Sequence, residues 1–179
     1  MTAPNHISAT EAALRQDIVD YGRRFAPSGL SQGTSGNLSV RWRMGEHDGL
    51  LITPSGVDYG RMSAQDLPFM RLDDGSWSGP LKPSSEWRFH RDLYLARPEV
   101  GAIVHAHPTH TTARAVQRRE LPAFHYMVAM AGGRDIRCAP YATYGTEALS
   151  HNALAALQGR RACLLANHGQ LVAARDLKE

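Results

Sequence analysis

The stretch Gly-Ala-Ile-Val-His-Ala-His-Pro at residues 101–108 decides the fold class of this chain. Its apolar residues predict a buried strand, which ends at Pro108 because proline cannot continue a strand ladder. The helix before it is predicted to start at Pro-Ser-Ser-Glu, residues 83–86, where a serine can act as the cap, and to run to about Arg97. A second helix is predicted over 109–117. A strand between two helices indicates an α/β protein.

The rest of the sequence adds more strands and two further helices. A capping box formed by Ser8 and Glu11 predicts a first helix that runs to about Ala26. Another helix is predicted over 146–158. Strand patterns occur at 38–42, 49–53, 67–72, 162–166 and 170–174, and weaker ones around Tyr126 and Ile136.

The connections between these strands are short and rich in turn residues. The last two strands form a predicted hairpin that turns at Asn-His-Gly, residues 167–169, where Gly169 could adopt a positive φ. Several hairpin-like connections predict a mixed, largely antiparallel central sheet with helices packed on it. The length of 179 residues fits a single domain.

Composition excludes several classes of protein. Hydrophobic residues make up 42% of the chain, but no uninterrupted apolar run is long enough for a membrane span, and the N-terminus lacks the pattern of a secretory signal. The net charge is only +3 and the arginines are scattered, so we expect no nucleic-acid partner. The only lysines, Lys82 and Lys178, are poorly placed for Schiff-base chemistry. Two distant cysteines favour a reducing cytoplasm.

Histidine is the unusual feature of the composition, with nine residues. His105 and His107 are two apart at the end of the predicted strand, so their side chains point to the same side and could bind one metal ion. His168, in the predicted hairpin turn, is a candidate third ligand, with His110 and His125 as competitors. Three histidines that leave one coordination position open are typical of catalytic zinc sites.

Three loops of small residues offer hydroxyls and free backbone N–H groups, at 34–37, 53–56 and 83–86. Together they could hold a phosphate without a lysine or arginine. Glu86 is the candidate general acid or base, although a glutamate at this position could also serve only the helix start. Tyr126 and Tyr144 are possible hydroxyl donors.

Seven ordered motifs resemble the class II aldolase/adducin family. They extend over most of the chain and lie, without large gaps, at residues 30–41, 51–56, 84–90, 104–107, 125–127, 138–146 and 167–169. The resemblance implies the fold of that family and, since its epimerases are expected to carry aspartate at position 86, Glu86 favours the aldolase branch. Tyr144 stands where the family is expected to have phenylalanine.

The resemblance also implies roles for individual residues. It assigns one Zn²⁺ per chain to His105, His107 and His168, and catalysis to Glu86 together with Tyr126, which lies in a site shared between subunits of a homotetramer. The substrate phosphate is assigned to Asn37, Ser55, Gly56, Ser84 and Ser85.

The implied activity is cleavage of a ketose 1-phosphate, such as L-fuculose 1-phosphate, into dihydroxyacetone phosphate and a small aldehyde. The metal would stabilise the enediolate that forms when the carbon–carbon bond breaks. The alternatives are an epimerase, dehydratase or decarboxylase on the same scaffold, or a binding module like the adducin head without catalysis. The family continues into C-terminal helices, which we expect this domain, residues 1–179, to lack.

Overall fold

A computed structural model of the chain describes residues 10–179. Eight strands form one sheet in the order β4-β3-β2-β1-β5-β8-β7-β6. Every strand pair is antiparallel except β6 with β7. Helices pack on this sheet, so the expected α/β fold with a largely antiparallel sheet is confirmed. The strands are β1 (Asn37–Met44), β2 (His47–Ile52), β3 (Phe69–Arg71), β4 (Trp77–Ser78), β5 (Ala102–Ala106), β6 (Cys138–Ala139), β7 (Ala162–Leu165) and β8 (Gly169–Ala174).

Within residues 10–179, four α-helices and two short 3₁₀-helices accompany the sheet. The 3₁₀-helices cover Ala64–Asp66 and Tyr126–Ala131. The α-helices are α1 (Glu11–Arg23), α2 (Trp87–Ala96), α3 (Thr109–Val116) and α4 (Glu147–Ala156). Among the described residues, no helix is long and apolar enough to cross a membrane.

Two apolar clusters hold the helices against the sheet. On one side, α2 and α4 pack against each other and against the sheet, with Phe89, Leu93 and Leu149 buried among strand residues. On the other side, Ile18 and Val19 of α1 are buried against β1. Burying a large apolar side chain contributes about 1.5–3 kcal/mol. The first cluster, which also contains Ile103, therefore fixes the position of α2 relative to β5.

Strand β5 lies inside the sheet, between β1 and β8. Its register places His105 opposite Asn37 on one neighbour and opposite Leu171 on the other. Because side chains alternate along a strand, Ile103 and His105 face the α2 side of the sheet. The fold thus brings the start of α2 over the histidine-bearing end of β5.

Some of the predicted elements have different boundaries or a different structure. Helix α1 begins after an N-cap at Thr10, whose hydroxyl accepts a hydrogen bond from the Ala13 N–H, and Ser8 lies outside the described residues. The prediction of a strand around Tyr126 is wrong, because residues 126–131 form a 3₁₀-helix. Around Ile136 the chain makes only a single bridge, to Leu121.

Candidate metal centre and active site

Three histidines from two different parts of the sheet meet at one point. A ligand nitrogen of each of His105, His107 and His168 lies within 4.8 Å of the others. The ring centroid of His105 lies 4.5 Å from that of His107 and 4.7 Å from that of His168. The structure therefore brings together the three predicted ligands, whereas the competitors His110 and His125 are exposed and outside the group.

The tautomer of His105 follows from its hydrogen bond. Its Nδ1 lies 2.8 Å from the backbone carbonyl oxygen of Gln170, which can only accept, so Nδ1 carries the hydrogen. In the neutral ring, Nε2 then has a free lone pair, and this atom is buried without a hydrogen-bond partner among the described residues. A histidine that binds a metal is usually oriented by such a hydrogen bond, which its other ring nitrogen donates to a carbonyl or carboxylate oxygen.

The turn that carries His168 differs from the expectation in one respect. The positive φ, 55°, occurs at Asn167 and not at Gly169. Glycine is needed at 169 for space, because an added Cβ would lie 2.5 Å from the carbonyl oxygen of Ala106 and 2.6 Å from Cδ2 of His107. The turn can therefore approach the end of β5 closely enough for His168 to reach the other two rings.

His107 is held through its backbone just after the end of β5. Its N–H donates to the carbonyl oxygen of Leu30 (2.8 Å) and to the hydroxyl of Ser31 (3.2 Å). Gly36 packs against the end of β5. Its φ is 79°, and an added Cβ would lie 2.8 Å from the carbonyl oxygen of His105. The loop before β1 thus sets the direction in which His107 leaves the strand.

Glu86 is not a simple helix-start residue. It occupies the N-cap position of α2, but its side chain makes no capping hydrogen bond. The residue is only 7% exposed, and its carboxylate is turned towards the histidines: Oε2 lies 3.2 Å from Nε2 of His105, and Oε1 lies 3.3 Å from Nε2 of His168. The side-chain amide of Asn37 donates to Oε2 at 3.0 Å.

The environment shifts the pKa values of these groups. Burial would raise the pKa of the Glu86 carboxyl, but contact with His105 and His168 and the hydrogen bond from Asn37 outweigh it and lower the pKa to about 2. Burial, followed by the proximity of His105, lowers the pKa values of His107 and His168 to about 4 each. At neutral pH the latter two rings are therefore uncharged, as a metal ligand must be.

These residues fit a bound cation. Nε2 of His105 and Oε1 of Glu86 are both buried and have no hydrogen-bond partner among residues 10–179. The lowered pKa of Glu86 requires a hydrogen or a positive charge between its carboxylate and Nε2 of His105, because two lone pairs that face each other would repel. A site that gathers nitrogen and oxygen lone pairs in this way suits a transition metal.

The predicted phosphate-binding loops lie together beside this site. The Ser55 N–H donates to the carbonyl oxygen of Lys82 and the Ser84 N–H to that of Thr53, each at 3.0 Å. Thr53 in turn exchanges hydrogen bonds with the backbone of Leu38, at 3.0 and 3.2 Å. Loops 53–56 and 82–86 are therefore joined to each other and to the start of β1.

The five residues assigned to phosphate binding differ in exposure. Ser55, Gly56 and Ser85 are exposed, whereas Asn37 and Ser84 are buried. The Ser84 hydroxyl accepts from the Glu86 N–H at 3.3 Å. The role of these five residues in binding phosphate stays a prediction, but three of them have groups that a ligand can reach.

The two candidate tyrosines are exposed at the surface of the chain. Tyr126 is 80% exposed and its ring contacts His125, with centroids 4.5 Å apart. Tyr144 is 65% exposed. Among the described residues, neither forms a hydrogen bond or ring contact with His105, His107 or His168, and the role of Tyr126 stays a prediction.

Sequence reasoning missed a set of buried polar residues behind Asn37. Ser39, His90 and Tyr94 are each at most 1% exposed and are hydrogen-bonded to one another. A signal for them exists: His90 is four residues after Glu86 on one helix, and Ser39 is two residues after Asn37 on one strand. Each pair lies on one face of its element.

The chain is similar to known proteins over most of its length. The family model of the Class II Aldolase and Adducin N-terminal domain matches residues 16–179. The chain is 54% identical to the 5-methylthioribulose-1-phosphate/5-deoxyribulose-1-phosphate aldolase of Rhodospirillum rubrum over 166 residues, which cover 93% of this chain and 73% of that protein. It is 43% identical to the L-fuculose phosphate aldolase of Escherichia coli, with 93% and 75% covered.

A solved structure of an L-fuculose 1-phosphate aldolase is also similar. It superposes with a TM-score of 0.87 and 43% sequence identity, and the match covers 97% of this chain and 80% of that one. The mixed sheet and its helices therefore have a counterpart in an aldolase of known structure.

Proposed function

We propose a substrate class and a mechanism for this chain, which belongs to the family of class II aldolases and adducin N-terminal domains. Its named relatives are aldolases, and the chain is an enzyme of the carbon–carbon lyase type. Class II aldolases depend on a metal ion, and His105, His107 and His168 form a group that could bind one.

The proposed reaction is cleavage of a ketose 1-phosphate into dihydroxyacetone phosphate and a small aldehyde. The relatives support two types of substrate: L-fuculose 1-phosphate, and 5-deoxypentuloses such as 5-methylthioribulose 1-phosphate. These substrates share the part that becomes dihydroxyacetone phosphate and differ in the aldehyde. The higher identity, 54% against 43%, favours the 5-deoxypentulose type.

The proposed metal is Zn²⁺, one per chain. Three neutral imidazoles with an open fourth position are the typical ligand set of a catalytic zinc ion. When bound, such an ion polarises the substrate carbonyl as a Lewis acid and stabilises the negative charge that develops on the neighbouring oxygens. His105 is oriented for this role by the Gln170 carbonyl, at 2.8 Å from Nδ1.

Glu86 is proposed to move the proton at C3 of the sugar. When the C3–C4 bond breaks, the C4 hydroxyl loses its proton, the aldehyde leaves, and the electron pair remains at C3. That carbon must take up a proton to give dihydroxyacetone phosphate. Oε2 of Glu86 is held by the Asn37 amide, so Oε1, which has no partner among the described residues, is the oxygen that carries the proton.

Two further roles complete the proposal. Asn37 and loops 53–56 and 83–86 hold the phosphate without a lysine, and the exposed Ser55, Gly56 and Ser85 supply the groups that a ligand can reach. The hydroxyl of Tyr126, supplied by a neighbouring subunit of a homotetramer, acts at the C4 oxygen. The exposure of Tyr126 and of the nearby Phe124 and Met130, at 80%, 71% and 64%, supports a contact between subunits at this segment.

A cytoplasmic location is also proposed. Cys138 and Cys163 are both free thiols, as is usual in a reducing compartment. Sugar-phosphate chemistry is consistent with that location.

The position of the Glu86 carboxylate, 3.2 and 3.3 Å from two of the three histidines, carries the proposal. A panel of ketose 1-phosphates tests it, with release of dihydroxyacetone phosphate as the readout. The panel contains L-fuculose 1-phosphate, 5-deoxyribulose 1-phosphate and 5-methylthioribulose 1-phosphate. Release from at least one of them, abolished by a chelator and restored by Zn²⁺, supports the proposal. Conversion without carbon–carbon cleavage would instead support an epimerase or dehydratase.

A further inference from the structure

A continuous line of hydrogen bonds leads from the core of the protein to Glu86. Tyr94 Oη lies 2.9 Å from Ser39 Oγ, which lies 2.8 Å from Nδ1 of His90. Nε2 of His90 lies 2.6 Å from Oδ1 of Asn37, whose Nδ2 lies 3.0 Å from Oε2 of Glu86. All five residues are at most 7% exposed. We call this line the relay.

The direction of each hydrogen bond in the relay follows from the groups involved. The Glu86 carboxylate can only accept, so Nδ2 of Asn37 donates to it, and Oδ1 of Asn37 faces His90. A carbonyl oxygen cannot donate, and therefore Nε2 of His90 carries a hydrogen. Among residues 10–179 the buried His90 forms no ion pair, and in its neutral form Nδ1 is then an acceptor.

The same reasoning fixes the far end of the relay. Since Nδ1 of His90 accepts, the Ser39 hydroxyl donates its only hydrogen to it. Ser39 Oγ can then only accept from Tyr94, whose hydroxyl is the first donor. All four hydrogen bonds consequently point from donor to acceptor towards Glu86.

We propose that His90, Ser39 and Tyr94 are positioning residues that act through Asn37 to set which oxygen of Glu86 exchanges the proton. This inference deepens the proposed function and rests on it. The relay keeps the amide of Asn37 from rotating, so its N–H group always faces Oε2 and leaves Oε1 directed at His168. Without the relay, the amide could turn its oxygen towards the carboxylate and displace it.

His90→Phe tests the proposal because it removes the donor to Asn37 but keeps a planar ring. We expect kcat to fall about 10–100-fold, the range found when a partner behind a site residue is lost, and KM to change less. His90→Gln supplies an amide N–H that can donate to Asn37, together with a carbonyl oxygen that can accept from Ser39. It should recover most of the kcat that His90→Phe loses.

Two comparisons separate this role from a merely structural one. Leu93→Val alters the same helix in its apolar contacts, and it should lower Tm without a fall in kcat at temperatures where the protein is folded. Tyr94→Phe removes the donor furthest from Glu86 and should reduce kcat less than His90→Phe does. A His90→Phe enzyme with full metal content and wild-type kcat would overturn the proposal, as would a His90→Gln enzyme no more active than His90→Phe.

The tautomer of His90 gives a test that needs no activity and no variant. In ¹⁵N-labelled histidine spectra of the holoenzyme, the relay requires hydrogen on Nε2 of His90, whereas His105 should carry it on Nδ1. Hydrogen on Nδ1 of His90 would refute the relay even if the enzyme is an active aldolase. Failure of every ketose phosphate would refute the proposed function, and the tautomer would still decide the direction of the relay.

Discussion

The carboxylate of Glu86, at the N-cap of α2, faces the imidazole of His105 on the central strand β5, with Oε2 and Nε2 3.2 Å apart. The sheet face that carries His105 also packs against Phe89, one turn further along α2, with ring centroids 5.4 Å apart. The helix start and the strand are thus fixed relative to each other by the core. The proposed proton-transfer group and a candidate metal ligand are held in contact before any substrate binds.

Glu86→Gln tests the proton-transfer role. The amide keeps the size of the side chain but cannot take up a proton, so kcat should fall by about 10²–10⁴. Metal content should persist, since the three histidines are unchanged. The matched control is Glu147→Gln, an exposed first-turn glutamate of α4, which should leave turnover unaltered. Near wild-type turnover of Glu86→Gln would remove Glu86 from the mechanism.

His105→Ala should remove most of the bound metal. Only three protein ligands are proposed, and His105 is the fully buried one, held by the Gln170 carbonyl. Metal analysis of the purified variant should give well below one ion per chain, against about one for the wild type. The exposed His110 on α3 provides the control, His110→Ala, which should bind metal normally. Full occupancy in His105→Ala would exclude His105 as a ligand.

The metal-free protein should become less stable as the pH falls from about 6.5 to 4. The pKa values of His107 and His168 are about 4 in the folded state and near 6.5 when unfolded, so the unfolded chain binds more protons in this range. Below pH 4.5, protonation of Glu86 in the unfolded chain adds to the loss, because its folded pKa is about 2.

Thermal denaturation in the presence of a chelator measures this effect. Each kcal/mol lost lowers Tm by about 2–4 °C in a protein of this size. In His168→Asn one of the histidines with a lowered pKa is gone, so the decline of Tm between pH 6.5 and 4 should be shallower. A Tm that stays constant or rises in acid would contradict the sign of these shifts.

Gly169→Ala should weaken metal binding through the turn that carries His168. The new Cβ would lie 2.5 Å from a backbone oxygen of β5, which cannot move without disturbing the sheet. A metal titration should show reduced affinity together with a lower Tm. Gly60→Ala is the matched control, since its Cβ would meet only the Asp58 side chain, at 3.0 Å. Equal effects of the two substitutions would mean that close packing at Gly169 does not support the site.

The metal-ligand candidates could be found in the sequence because their signals are local. The spacing of His105 and His107 predicts that both side chains point to one side of a strand; His107 in fact follows the end of β5, and its ligand nitrogen still lies within 4.8 Å of that of His105. The link to His168, 61 positions after His107, depends on the pairing of β5 with β8, and a hairpin pattern in the sequence predicted only the turn. The local spacing therefore identified two candidate ligands, whereas the tertiary structure selected the third among its competitors.

The details around these ligands could not be deduced in the same way. Sequence patterns place Glu86 in the first turn of α2, whereas it occupies the N-cap with its carboxylate turned into the sheet. That orientation depends on Asn37, a residue 49 positions away. The secondary structure around Tyr126 was also mispredicted. An apolar segment such as 126–131 is compatible with a strand or a short helix when the residues that pack against it are unknown.

Hydrogen exchange into dihydroxyacetone phosphate tests the central claim most directly. In D₂O and without an aldehyde, the zinc-loaded enzyme should exchange a hydrogen of the hydroxymethyl carbon for deuterium, because Glu86 removes and returns the proton there. NMR of the recovered dihydroxyacetone phosphate should show this exchange for the wild type, a rate lower by about 10²–10⁴ for Glu86→Gln, and none after removal of the metal. Wild-type exchange by Glu86→Gln, or none by a zinc-loaded wild type, would contradict the account.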